Sequence, residues 1–593
     1  MSNALEQASL IMVPSGYEDG TLGSLKPTDG SGDFTFTRCD GAAQCDLAAT
    51  RVNADGYIEK GYENLLLQSN SFDTTWTPIN SSIPISGQAG YDGLNNAWLL
   101  QNDNNSGFIN QDISNSGVSV FSVYAKAGNV NSIRVRADYS SIATTYFDLE
   151  NGTIGDQFNV IESKITSVGN GWYRCSITYN GTTTRVRLYP AVNATTTGVA
   201  GDNIYIQDAM LNQGMVAYPY VETTTAPVAG GILEDMPRLD YSGSCPALLL
   251  EPQRTNLFTQ SEYFGDSSWA KFNCTILTNT TSTLSPTGYY SASKIQENTA
   301  TNSHGFGSAN TQSNSGEQIT FSAFIKAAER SWATLRLYNG TTSIFAYYNL
   351  TDGTLGDIDA GGNATIVSIG NGWYRCSLTI TMNSSSANYP YIFIATENGV
   401  AIYEGTNGSG IYVYGLQFEQ DATYPTSYIP TYGVSQTRLG DDAIVQNVAS
   451  LLSESEGTLY LEVKSFPEQK SLFAISDGTI SNRISLYYQN GVDLRCNIRI
   501  NNSQTNLIGG GNISDGFYKI AVTYDNATGL LKMFVNGILI NSVSYSGGIT
   551  STLNTIDFAQ GNSASNALGL YKQALVFPTA LSDEECIALT TIS

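Results

Sequence analysis

Tyr124, Lys126, Arg136, Trp172 and Arg174 stand in one stretch of the chain, and Lys326, Trp332, Arg336, Tyr338, Trp373 and Arg375 stand at largely matching places in a second. Side chains of these types can hold a sugar: aromatic rings stack on pyranose faces, and Lys or Arg donates to hydroxyls or to an acidic group. The chain has 28 Lys and Arg against 52 Asp and Glu, so a Lys, an Arg and a Trp-Arg pair placed twice is a pattern that needs a cause. The alternative cause is scaffold, in which the guanidinium groups pack over Trp172 and Trp373, pair with carboxylates and close a sheet. A residue present in both copies is as easily scaffold as site. The differences argue for a site: Trp332 and Tyr338 stand where the first copy has Ser132 and Asp138, so the second face is the more aromatic and the better candidate.

Catalytic signatures are nearly absent. His304 is the single histidine, which excludes a multi-His zinc site or an imidazole pair within one chain, and no nucleophile elbow accompanies it. Its setting, Asn302-Ser303-His304-Gly305, predicts a surface loop. Glycoside hydrolysis needs only two carboxylates about 5 to 9.5 Å apart, so composition leaves it open. Oxygen ligands for Ca2+ are plentiful, as in Asp352 to Asp357 or Gly440-Asp441-Asp442, but no spaced ligand motif appears; a bound Ca2+ would be structural, and no other cofactor is expected.

These residues are positioned by a duplicated set of strands. Val168-Gly169-Asn170-Gly171-Trp172-Tyr173-Arg174-Cys175-Ser176 returns as Ile369-Gly370-Asn371-Gly372-Trp373-Tyr374-Arg375-Cys376-Ser377, and Phe121 to Ala127 returns as Phe321 to Ala327. Asn64-Leu65 with Phe72 and Trp76 returns as Asn256-Leu257 with Phe264 and Trp269. A period this long excludes a solenoid. Alternation along a strand puts Phe121, Val123 and Ala125, then Ile133, Val135 and Ala137, toward a core. Tyr124, Lys126, Arg134, Arg136, Trp172 and Arg174 then point away, and each repeat is expected to gather its set on one sheet face.

Scarce charge with abundant Gly, Tyr, Ser, Thr and Asn is the usage of short strands and many turns. The fold class expected is all-β: tandem jelly-roll β-sandwiches in an extended multi-domain fibre. The expected divisions are an anchoring or linking segment over 1–62, the first repeat over 63–223, a linker over 224–252, the second repeat over 253–431, a connector over 432–452 and a third module over 453–593. In the last, Tyr518 to Tyr524 and Leu531 to Gly537 read as a hairpin, and Ser582 caps a short helix with Glu585 completing a capping box. A net charge of −24 would repel nucleic acid and anionic membrane. The N-terminus lacks signal-peptide character, which predicts synthesis in the cytoplasm. Of the eight cysteines, Cys175 and Cys376 occupy equivalent strand positions and read as buried thiols, and only Cys39 and Cys45 could close a short disulfide loop.

The last module resembles the concanavalin-like or laminin-G-like jelly roll, with its Val535-Asn536-Gly537 turn and the late pattern Ala580-Leu581-Ser582-Asp583-Glu584-Glu585. The repeats are similar to carbohydrate-binding-module jelly rolls in their Gly-Trp-Tyr-Arg strand and in the closing strand Gly415-Leu416-Gln417-Phe418-Glu419. The joints Asp235 to Gly243, Leu250 to Leu257 and Pro425 to Thr431 resemble segments of bacteriophage head or tail fibre proteins. That resemblance implies a virion protein made in the host cytoplasm, a homotrimer, and partners that are cell-surface or environmental glycans and other virion proteins. Two alternatives stay open, a tailspike-type polysaccharide depolymerase and a purely structural head decoration. Jelly-roll hydrolases resembling the last module carry Glu-x-Asp-x-x-Glu on one strand, where this chain offers only Glu462.

Overall fold

The computed structural model describes residues 2–38, 48, 50–241, 245–308, 312–464, 471–489, 493–512, 516–549, 551–559 and 567–592. The Cys39–Cys45 pair lies outside them. Three β-sandwiches make up the described structure, and each repeat is built from two sheets of matching strand order.

In the first repeat, one sheet runs Glu162–Gly169, Trp172–Asn180, Val118–Ala127, Asn203–Gln213, Ala97–Gln101, Ile85–Gln88. The other runs Thr153–Phe158, Ile142–Asp148, Ser132–Asp138, Thr183–Val192, Phe108–Asn115, Thr77–Ile79. The second repeat copies both. Its first sheet runs Gly362–Gly370, Trp373–Thr381, Gln318–Ala327, Gly410–Gln420, Ser293–Glu297, Cys274–Leu277, and its second Thr354–Ile358, Ser343–Asn349, Trp332–Tyr338, Tyr391–Ala395, His304–Gly307, Ala270–Phe272. Phe121, Val123, Ala125, Ile133, Val135, Ala137 and Cys175 are fully buried in the first core, as alternation requires, and Phe321, Ala323, Leu335 and Cys376 in the second. Fine detail is duplicated too. The Asn64 amide donates to the Ala209 and Val221 carbonyls (3.2 and 2.8 Å), and Asn256 donates to those of Leu416 and Ile429 (3.0 and 2.8 Å).

The third sandwich departs from the expected divisions. Leu10–Met12 pairs with Gly569–Phe577, and Arg238–Asp240 and Ala247–Leu250 extend that same sheet. Phe34–Thr37 pairs with Asp442–Gln446 in the opposing sheet. The stretches expected as the segment 1–62, the linker 224–252 and the connector 432–452 therefore each supply strands to the C-terminal sandwich. The reason is burial, since Leu10, Met12, Phe34, Phe36, Leu248 and Leu250 fill its core and are fully covered. The short helix is Asp583–Thr590, with the Ser582 and Glu585 capping box in place. It packs over the outer face of this sandwich beside Tyr460 and Phe534.

Later in the N-terminal segment, Thr50–Val52 and Ile58–Asn64 form a hairpin that packs against both repeats, Ile58 beside Phe324 and Trp373 and Tyr62 beside Met210 and Tyr218. Lys60 is its anchor. Its buried ammonium donates to Glu262 (2.7 Å) and to the hydroxyls of Tyr432 (2.9 Å) and Tyr414 (3.0 Å). The Tyr428 hydroxyl donates to the same Glu262 carboxylate (3.0 Å).

Candidate functional site

Alternation predicts correctly which candidates leave the core, but not which sheet they leave from. Tyr124, Lys126, Trp172 and Arg174 lie on one outer face of the first repeat, and Arg136 lies on the opposite one. In the second repeat Lys326, Trp373 and Arg375 are likewise separated from Trp332, Arg336 and Tyr338 by the full thickness of the sandwich. The expected single face per repeat is thus two faces. Side-chain direction has a period of two along any strand, whereas the sheet a strand joins depends on pairing with strands far away in sequence.

The first pair of faces is covered. Trp172 and Trp373 are each 1% exposed. Arg174 lies over the Tyr124 ring (5.4 Å) and donates to Ser122 Oγ (3.1 Å), and Arg375 lies over Phe324 (5.3 Å) and donates to Ser322 Oγ (3.1 Å). Tyr91 stacks on Tyr124 at 4.1 Å. The hairpin residue Ile58 packs with Phe324, Trp373, Tyr414 and Tyr428, and Trp373 Nε1 donates to the Leu284 carbonyl (2.9 Å). Lys326 donates to the Asn371 carbonyl (2.7 Å), and Lys126 lies half-buried against Gly171. Trp172, Arg174, Trp373 and Arg375, repeated in both copies, are thus engaged in packing and hydrogen bonds within the molecule.

The second pair of faces is open, and its residues differ between copies. In the second repeat, neighbouring strands bring Trp332, Arg336, Tyr338, Phe345, Tyr347, Tyr389, Tyr391, Phe393 and Phe272 onto one face. The Arg336 guanidinium lies over the Tyr391 ring (5.0 Å), and Tyr391 packs against Phe272 and Phe393. Gly305 and Gly307 make this possible, because a side chain at either would meet the Phe393 or Tyr391 ring. A Cβ at Gly307 would stand 1.7 Å from a Tyr391 ring carbon. The same Cβ would stand 2.6 Å from the Pro390 carbonyl oxygen, so Gly307→Ala is expected both to tilt Tyr391 off the face, lowering affinity for any ligand stacked there about tenfold, and to lower the melting temperature by about 5–10 °C; titration beside thermal unfolding reads both. The Tyr391 and Phe393 contributions went unread in the sequence, although Tyr391-Ile392-Phe393-Ile394 alternates as a strand should.

His304 is not in a surface loop. It is a fully buried strand residue whose Nδ1 lies 2.9 Å from the Asn273 carbonyl and whose ring packs against Tyr403. Glu462 points to the outer face of its sheet, 3.6 Å from Lys572. Among the described residues no three His, Cys, Asp or Glu side chains converge as metal ligands. Asp352 bonds its own turn through Thr354, and Asp441 of the acidic tract is spent on arginines.

The C-terminal sandwich, with its two large sheets and late capped helix, has a recognisable kin. Residues 439–586 match the family model of the concanavalin A-like lectin/glucanases superfamily. This lectin/glucanase-like part is about a quarter of the chain. Among solved structures, the chain is similar to the CBM40 module of the Ruminococcus gnavus IT-sialidase bound to α2,3-sialyllactose (23% identity, 24% of this chain, 86% of that one, TM-score 0.22). It is similar also to the leech intramolecular trans-sialidase complexed with 2,7-anhydro-Neu5Ac (23% identity, 24% of each chain, TM-score 0.22) and to the SAP-like pentraxin of Limulus polyphemus (16% identity, 22% of this chain, 68% of that one, TM-score 0.19). No match is found among curated proteins.

Proposed function

We propose that this chain is a non-enzymatic glycan-binding protein of a bacteriophage virion, a head or tail fibre that adheres to host or surrounding polysaccharide. The observation that carries the binding role is the open aromatic face of the second repeat. It is a half-exposed platform of Trp332, Tyr338, Tyr391 and Phe345 around one cation, Arg336, on the rigid strands of a sandwich. Rings fixed by packing present flat apolar surface at little entropic cost, and a guanidinium between them donates to hydroxyls. The lectin/glucanase-like C-terminal part supports the same reading. The virion role rests on the joint segments that resemble phage fibre proteins. A shallow sheet face binds a sugar weakly, so useful adhesion would come from repetition over the chains of a homotrimer and over virion copies.

The test is affinity electrophoresis of the full chain in neutral and acidic polysaccharide gels, followed by titration. Trp332→Ala and Tyr391→Ala are each expected to lower affinity for a retarding neutral polymer about tenfold without shifting thermal unfolding by more than a few degrees. Retention that ignores both substitutions would move the site elsewhere. Release of reducing ends would replace this reading with a depolymerase, and antibody labelling of intact virions tests the location.

A further inference from the structure

The open faces of the two repeats are one lattice of positions carrying different chemistry. Strand register equates Arg134, Arg136 and Asp138 with Thr334, Arg336 and Tyr338. It equates Arg187 with Tyr391 and Tyr189 with Phe393, and on the adjoining strand Tyr146 with Tyr347. The first copy places Arg134, Arg136, Arg185 and Arg187 on two neighbouring strands; Arg187 stands where the second copy has Tyr391 and Arg134 where it has Thr334, while Arg136 keeps its counterpart in Arg336. Arg185 pairs with Asp112, and with Asp138 this leaves four guanidinium groups against two carboxylates, a local excess of cation in a chain of net charge −24.

Two features set this cluster apart from ordinary ion pairing. Arg136 and Arg187 are direct cross-strand partners, an arrangement that like charges disfavour. They share one carboxylate, Asp138, at 2.6 and 2.7 Å. Arg134 beside them makes no salt bridge among the described residues. Its guanidinium is held between the rings of Tyr189 (5.1 Å) and Tyr146 (5.3 Å), and its Nε donates to Thr144 Oγ1 (2.9 Å). A planar N–H fork is thus fixed in place on a half-exposed face, next to a second cationic pair that is only partly neutralised.

We infer that the open face of the first repeat binds a carboxylate-bearing sugar, a uronate or another acidic glycan. Arg134 takes the carboxylate, the Arg136–Asp138–Arg187 cluster supplies the surrounding positive field, and Tyr146 and Tyr189 fix the fork. This rests on the reading of the open faces as glycan sites and divides their labour, with acidic sugar on the first repeat and neutral sugar on the second. A guanidinium pre-oriented by two rings suits a planar carboxylate in a way that a flexible ammonium does not.

The experiment titrates the full chain with polygalacturonate and with its methyl-esterified form, in which the same backbone has lost its charge. The expected result is tighter binding of the free acid, weakened by salt. Arg134→Ala and Arg134→Lys are each expected to lower free-acid affinity about tenfold while leaving binding of the esterified polymer and the thermal unfolding midpoint near those of the parent. Arg134→Lys keeps the charge and loses the fork, so free-acid binding unchanged in this variant overturns the inference in favour of a general charge effect. Equal affinity for the two polymers, or free-acid binding that survives Arg134→Ala, overturns it as well. Failure to bind either of these or any neutral polymer would overturn the glycan reading of both faces, a separate outcome.

Discussion

Asp441→Asn is expected to destabilise the C-terminal sandwich by about 3–5 kcal/mol, because it strips one charge from a buried cluster that cannot be resolvated. Asp441 is bonded by Arg38 Nε (2.6 Å), by Arg238 and by the Glu251 backbone N–H (2.7 Å). Glu251 in turn pairs with Arg238 and Arg438 and accepts from the Ser427 N–H (2.9 Å). The asparagine amide would turn a donor toward the Arg238 and Glu251 donors or toward Arg38, since both carboxylate oxygens are occupied. The three guanidinium groups would keep one full countercharge between them. Chemical denaturation should show the loss as an early transition, and a transition at the parental denaturant concentration would refute the role given to this cluster. Burial raises the Glu251 carboxyl, but Arg238 and Arg438 outweigh that and hold it down at about 2, below the ordinary 4.5. A depressed carboxylate contributes fully above its unfolded value and loses that contribution as pH falls toward its folded one. The sandwich is therefore expected to weaken between about pH 4.5 and 2.

Lys60→Met should uncouple the two repeats. It leaves the Glu262 carboxylate buried, 1% exposed, with only tyrosine hydroxyls as donors. Losing one member of a buried pair costs about 3–5 kcal/mol, whereas removing both charges is far milder. Scanning calorimetry of Lys60→Met is expected to show a new low-temperature transition. The double variant Lys60→Met/Glu262→Gln should recover most of the parental profile. If the double variant is as unstable as the single one, packing of the hairpin and not the charge pair joins the repeats.

Both clusters explain motifs that the sequence displays without revealing their use. Arg238, Glu251, Ser427 and Arg438 come from the joint segments, or just beyond them, that resemble phage proteins, and they meet only because strands from both ends of the chain share one sandwich. Lys60 and Glu262 are 202 residues apart. Nothing local to either residue announces the other.

By itself, the sequence determined the duplication, the all-β class, the inward and outward sides of the matching strands in the two repeats, the buried Cys175 and Cys376 and the capped final helix. All of these follow from spacing within one segment, where a period of two or a capping box acts over a few residues. Only the tertiary structure decided which outward side chains share a face. Of the Trp-Arg pairs that looked like a binding site, Trp373 lies under Ile58 of the hairpin and Trp172 beside Tyr91, while Tyr391 and Arg187 stand half-buried on the opposite faces. Strand alternation is a property of one backbone, but a face is made by register between strands distant in sequence and by whichever segment gains enough buried surface to cover it.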